Sequence, residues 1–205
     1  MNELRRRIFT VGIILFLLTV PGGFTGMADT PPESLLLLDD FTNANGISTH
    51  GTAWQSLTDR VMGGRSDMRA HIVQEPNSRF LRMTGRVSLE NNGGFIQVRL
   101  PLKNGEKRLD ARDYRGIELD VRGSAGNYFV HVRTTQNLLP WSYYAAPLPV
   151  SAQWQTVRIP FDDFSGSSMF RRGTPNLRQL QSIAIVAGTT AFEADISVRR
   201  IGMYR

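Results

Sequence analysis

A chain of 205 residues, 41% of them apolar and with no internal repeat, is long enough to bury a core and fits one globular unit. It contains no cysteine, which excludes disulfide stapling, thiolate metal sites and a cysteine nucleophile. The formal net charge of +6 is spread along the chain, with adjacent basic residues beyond the N-terminus only in isolated pairs such as Arg171-Arg172 and Arg199-Arg200, so no nucleic-acid partner is expected.

At the N-terminus, Arg5-Arg6-Arg7 precede an apolar run at 8–20, followed by Pro21-Gly22-Gly23 and Gly26-Met27-Ala28. This order predicts a signal peptide at 1–28, cleaved after Ala28. The run is shorter than the roughly 18–20 apolar residues a spanning helix needs, so no stable membrane span is expected after processing. Arg6-Arg7-Ile8-Phe9 partly matches a twin-arginine signal, with Arg5 where Ser or Thr is usual. Without residues 1–28, 21 basic and 17 acidic side chains remain, a net charge near +4. The expected location is the periplasm or cell envelope. Residues 29–34, DTPPES, read as a flexible polar leader, and 35–205 as one domain.

Leu35 to Leu38 open that domain. The stretch 54–66, WQSLTDRVMGGRS, is a glycine-punctuated polar turn, read as a tight turn packed under Met62. Strands are expected at 68–74, 79–87 and 95–100, with a second glycine turn, GRVSLENNGGF, at 85–95. Ile117, Leu119 and Val121 then alternate with Glu118, Asp120 and Arg122, and Tyr128, Val130 and Val132 with Phe129, His131 and Arg133. A period of two marks half-buried antiparallel strands with an apolar inner and a polar outer face. Further strands are expected at 141–148 and 154–159, with Trp154 in the core, and turns at 75–77, 103–105 and 123–127. Asn176 to Leu180 fit one helical turn. Near the end, Ile196 and Val198 keep one parity while Ile201 and Met203 keep the other, which places a β-bulge at Arg199-Arg200. Helical periodicity is scarce, so the fold class is all-β, a sandwich of two antiparallel sheets.

DRVMGGRS followed by SLENNGGF resembles the signature of the complex I intermediate-associated protein 30 family, whose mitochondrial members assist assembly of NADH:ubiquinone oxidoreductase. The likeness continues through Tyr114 to Leu119, Trp141 to Tyr144, Trp154 to Phe161 and Ile201 to Tyr204, and spans about 35–205. It implies a galactose-binding-like jelly roll and an assembly or chaperone-like role on a protein partner. It also implies that Asp59, Gly63, Gly64, Arg65 and Ser66, with Glu90, Asn91, Asn92, Gly93 and Gly94, form the signature and partner-binding loops. In bacteria the NADH-oxidising arm faces the cytoplasm, so an exported member would not meet it.

The chemistry-bearing side chains point away from catalysis. His50, His71 and His131 lie far apart with no metal-ligand spacing, no nucleophile elbow is present, and no catalytic residue is expected. No cofactor motif occurs: 61–66, VMGGRS, lacks phosphate-loop spacing and no helix follows it. Asp39-Asp40 allow a structural calcium, although no spaced run of Asp and Asn completes the oxygen set such an ion needs. The candidate ligand face is a strand surface of Gln97, Arg99, His131 and Arg133 beside Trp141 and Tyr143. Flat rings next to hydrogen-bond donors suit an extended peptide or a sugar ring, so a carbohydrate-binding role is the alternative to a protein partner.

Overall fold

In the computed structural model, residues 34–43, 45–102, 108–139, 141–167 and 173–205 are described. The signal peptide at 1–28, the leader up to 33, the turn at 103–105, the Arg171-Arg172 pair and the Asn92 side chain lie outside that description. The alternating runs pair into two antiparallel sheets. The first joins β3 (Asp67–Glu75), β4 (Ser78–Val87), β12 (Phe192–Tyr204), β6 (Gly116–Gly123) and β9 (Gln155–Pro160) in that order, with β1 (Leu35–Asp39) also on β12. The second runs β10 (Ser165–Gly166), β8 (Tyr144–Pro147), β7 (Tyr128–Thr134), β11 (Leu180–Gly188), β5 (Phe95–Pro101) and β2 (Gln55–Thr58). Leu119, Val121, Ile196 and Met203 of the first sheet meet Ile96, Val98, Val130 and Ile185 of the second in one apolar cluster, as the parity argument requires.

The bulge forms where expected. The β12–β6 register shifts between Val198 and Arg200, and along its other edge β12 pairs with β4 up to Val198 and with β1 from Ile201 onward. The extra residue thus serves the handover between two neighbours on one edge.

Three readings need correction. Trp154 lies outside the core: it shares strand parity with the outward Thr156 and Arg158, and stands half-buried beneath Arg122 and Arg199, 4.6 and 4.8 Å from its ring. The 141–148 strand is shortened to Tyr144–Pro147, because the Ser142 N–H turns back to the Leu139 carbonyl instead of joining the sheet. Met62 does not cover the glycine turn but is 53% exposed. Asn176, by contrast, caps a single 3-10 turn at Leu177–Gln179 as the pattern indicated. Among the described residues, no helix is long and apolar enough to cross a membrane.

Candidate functional site

The two glycine loops converge on one carboxylate. Thr58 caps a short 3-10 turn, Asp59–Met62, that ends at Gly63 with φ of +90°, the left-handed conformation glycine adopts without strain. This geometry turns Asp59 inward to complete burial, where Oδ2 accepts from the Ser66 hydroxyl at 2.5 Å and from the Gly94 N–H at 2.6 Å. Oδ1 accepts from the Ser66 N–H at 3.0 Å, and the Phe95 N–H reaches Oδ2 at 3.3 Å. Burial pushes the Asp59 carboxyl up, but those hydroxyl and backbone donors outweigh it and hold the group below its ordinary range. A Cβ on Gly64 or on Gly93 would overlap the Asp59 carboxyl group, so each glycine pair contributes a close approach to the same acid. Ser66 extends the hub by receiving the Ser88 N–H at 2.9 Å.

The signature is therefore a latch between two loops. Asp59, Gly64, Ser66, Gly93 and Gly94 are brought together in its interior, with Gly63 shaping the turn beside them. Arg65 and Glu90 meet only at the solvent rim, 3.5 Å apart, and Asn91 is exposed with φ of +56°. The latch instead presents Met62, expected to cover the turn, together with Val61 and Leu89, which the sequence reading did not single out, at 53, 67 and 52% exposure.

The candidate ligand face has the predicted parity. Gln97 and Arg99 alternate with buried Ile96, Val98 and Leu100, and His131 and Arg133 with buried Val130 and Val132. Across the sheet, Gln55, Arg99, Ala184, His131 and Ala145 form one row, so a floor of small residues separates the two polar groups. Arg99 donates to Gln55 Oε1 at 2.7 Å. Tyr143 stacks on His131, ring centres 3.9 Å apart and planes 11° from parallel, and burial lowers the His131 pKa to about 4. A neutral imidazole under a phenol ring is suited to stacking and hydrogen bonding, and poorly suited to carrying charge.

Arg133 has a structural task. Its guanidinium donates to the carbonyls of Asn137 and Leu139, each at 2.9 Å, and so holds the loop between β7 and β8. Burial, and then the charge of Arg99, lower its pKa. Inside that loop, Asn137 Oδ1 accepts from the Thr134 N–H at 2.7 Å while its amide donates to Ser142 at 2.9 Å. The loop exposes Leu138 at 84%, Leu139 at 51% and Trp141 at 60%. Trp141 was foreseen; the two leucines were missed, although an apolar Leu-Leu-Pro-Trp run directly after a strand is a readable signal.

Asp39 uses its carboxylate internally, accepting from the Phe41 N–H at 3.0 Å and Trp54 Nε1 at 2.7 Å, and Asp40 caps Thr42. Among the described residues, no three histidines or acids gather as a metal site.

A model of the family described as complex I intermediate-associated protein 30 matches residues 40–196. Endoglucanase 3 of Fibrobacter succinogenes is 27% identical over 149 residues, 65% of this chain, and the chain spans only 21% of that protein's length. The family 11 carbohydrate-binding module of cellulosomal cellulase Lic26A-Cel5E from Clostridium thermocellum superposes with a TM-score of 0.63 at 17% identity, covering 83% of this chain and 94% of the module. A family 11 module from the same organism, in complex with a β-1,3-1,4-mixed-linked tetrasaccharide, gives 0.61 at 16%, with the same coverage. At such identities the likeness concerns the fold, a galactose-binding-like sandwich.

Proposed function

From the premise that the chain belongs to the complex I intermediate-associated protein 30 family, we propose that it is a binding protein without catalysis of its own that holds a protein partner in the cell envelope. The observation that carries this reading is the β7–β8 loop. Trp141 with Leu138 and Leu139 makes an apolar prominence that the Arg133 and Asn137 hydrogen bonds hold in one shape. Exposed tryptophan in a preorganised loop is the kind of anchor that dominates protein interfaces, and leucines beside it favour a peptide or protein surface over a sugar. Gln97, Arg99 and the His131–Tyr143 stack supply the directional polar rim. The leader at 1–28 would place this surface outside the cytoplasm, away from the NADH-oxidising arm.

A second reading, a saccharide on this same face, is supported by the Tyr143 ring and by the fold shared with carbohydrate-binding modules. Cross-linking of the full chain in cells, with mass spectrometry of the captured protein and of the mature N-terminus, separates the two. A discrete partner captured by the wild type and lost in Trp141→Ala, with a chain starting at Asp29, is the expected result. A mixed-linkage β-glucan tetrasaccharide that raises thermal stability and changes tryptophan fluorescence, both abolished by Trp141→Ala, would replace the protein partner with a sugar.

A further inference from the structure

The outer face of the first sheet carries a cleft of about 370 Å³ that the reading above does not use. Its centre is set by register: Ser197 of β12 lies between Arg82 of β4 and Arg122 of β6. Strand spacing therefore puts the two arginine backbones about 10 Å apart. Each guanidinium already faces a carboxylate. Arg82 grips Asp195 through two bonds, Nε to Oδ1 at 2.9 Å and a terminal nitrogen to Oδ2 at 2.6 Å, and Arg122 reaches Glu75 at 2.9 Å. Val73 and Phe80 line the apolar part of the cleft. Ser197 is only 4% exposed, and its hydroxyl has no hydrogen-bond partner among the described residues. The hydroxyl is not sealed in: Ser197 lines the open cleft, so the oxygen is available to a ligand there.

The charges decide the class of ligand. Two guanidiniums and two carboxylates balance, so the cleft offers no net field to a phosphate or any other anion. Four ionised groups at the rim would lose water against a purely apolar ligand and receive nothing in return. What they can bind is a neutral ring bearing several hydroxyls, each able to donate to a carboxylate and accept from a guanidinium or from Ser197. The C–H face of such a ring would lie against Val73, because Phe80 is 2% exposed and covered by the Arg122 guanidinium 5.0 Å from its ring. We propose that this cleft is a binding site for a single neutral pyranose unit, with Ser197, Arg82 and Asp195 as its polar contacts. It is on the opposite outer face of the sandwich from Trp141 and does not depend on the partner reading.

The test is titration of the isotopically labelled full chain with methyl β-D-glucopyranoside, with methyl β-D-galactopyranoside and, separately, with inorganic phosphate, followed by amide NMR. Saturable shifts at Arg82, Asp195 and Ser197 with at least one glycoside are expected. They should weaken at least tenfold in Ser197→Val and in Asp195→Asn and stay unchanged in Trp141→Ala. Asp195 is a 41% exposed side chain, so its variant keeps the test valid if Ser197→Val fails to fold. No saturable shift with either glycoside, shifts confined to the His131 face, or tighter binding of phosphate at the same amides would overturn the proposal.

Discussion

The glycine loops and the β7–β8 loop make opposite use of their polar groups. In the first, four donors from three residues close on Asp59, and the acid is buried with Ser66. In the second, Arg133 and Asn137 spend their hydrogen bonds on the loop backbone and Ser142, and so hold an apolar tip in water. Glycines and an acid in a polar loop look like a binding site, yet here they make a joint. The lesson is that a loop's binding capacity lies in what its internal bonds leave outside.

If the glycine loops are a joint, Asp59→Ala should produce the largest loss of stability. It takes the acceptor from three backbone N–H groups and leaves the Ser66 hydroxyl only the more distant Ser88 carbonyl, and a loss of about 3–5 kcal/mol is expected in thermal or urea unfolding. An effect under about 1 kcal/mol would mean that the acid is kept for an external ligand. Gly64→Ala and Gly93→Ala should each cost about 1–3 kcal/mol by overpacking against the carboxyl group. Placed on an Asp59→Ala background they should cost distinctly less, because the overlapping atoms are gone; simple additivity would place the strain elsewhere.

Acid titration sharpens the contrast further. The folded pKa of Asp59 is depressed, so its contribution is present above the unfolded value of 3.8 and is lost as pH falls through the lower folded value. The folded pKa of His131 is also depressed, but for a base, so the folded state resists protonation. Stability should begin to fall as pH drops below 6.5 and level off near pH 4, with a slope of up to about 1.4 kcal/mol per pH unit. Tyr143 stacks on this imidazole and the Phe129 ring lies beside it, 6.3 Å between centres. Unfolding followed from pH 7 to pH 3 should show both windows in the wild type and only the lower one in His131→Gln. An unchanged slope between pH 6.5 and 4 in that variant would show that the Tyr143 stack does not exclude the proton.

The smallest effect on stability is expected at Trp141→Ala, within about 0.5 kcal/mol, since the ring is 60% exposed. A loss above about 2 kcal/mol would make Trp141 a structural residue and remove the anchor from the proposed interface.

Legibility in the sequence followed the physics of each element. The β5 and β7 faces were readable because their alternation is clean. The central strand β11 was not, because Ser182, Ala184 and Val186 on its outward side are buried almost as fully as Ile183 and Ile185 on its inward side. Small outward residues between the larger side chains of β5 and β7 leave no period of two. Glu118 and Asp120 showed the correct outward parity but not their burial, at 6 and 8% exposure. Arg158 and Arg200 cover Glu118, and Arg199, Arg200 and Thr156 cover Asp120, from strands up to 82 residues away along the chain.

By itself, then, the sequence determined the all-β class, the outward parity of Gln97, Arg99, His131 and Arg133, the bulge at Arg199-Arg200 and the family signature, because alternation and glycine placement are local constraints on the backbone. Only the tertiary structure decided that Asp59 turns inward, that Trp154 stays outside the core and that Ser197 sits unpartnered between two arginines. Each of those depends on which distant strand arrives beside it, and strand pairing is not a local property.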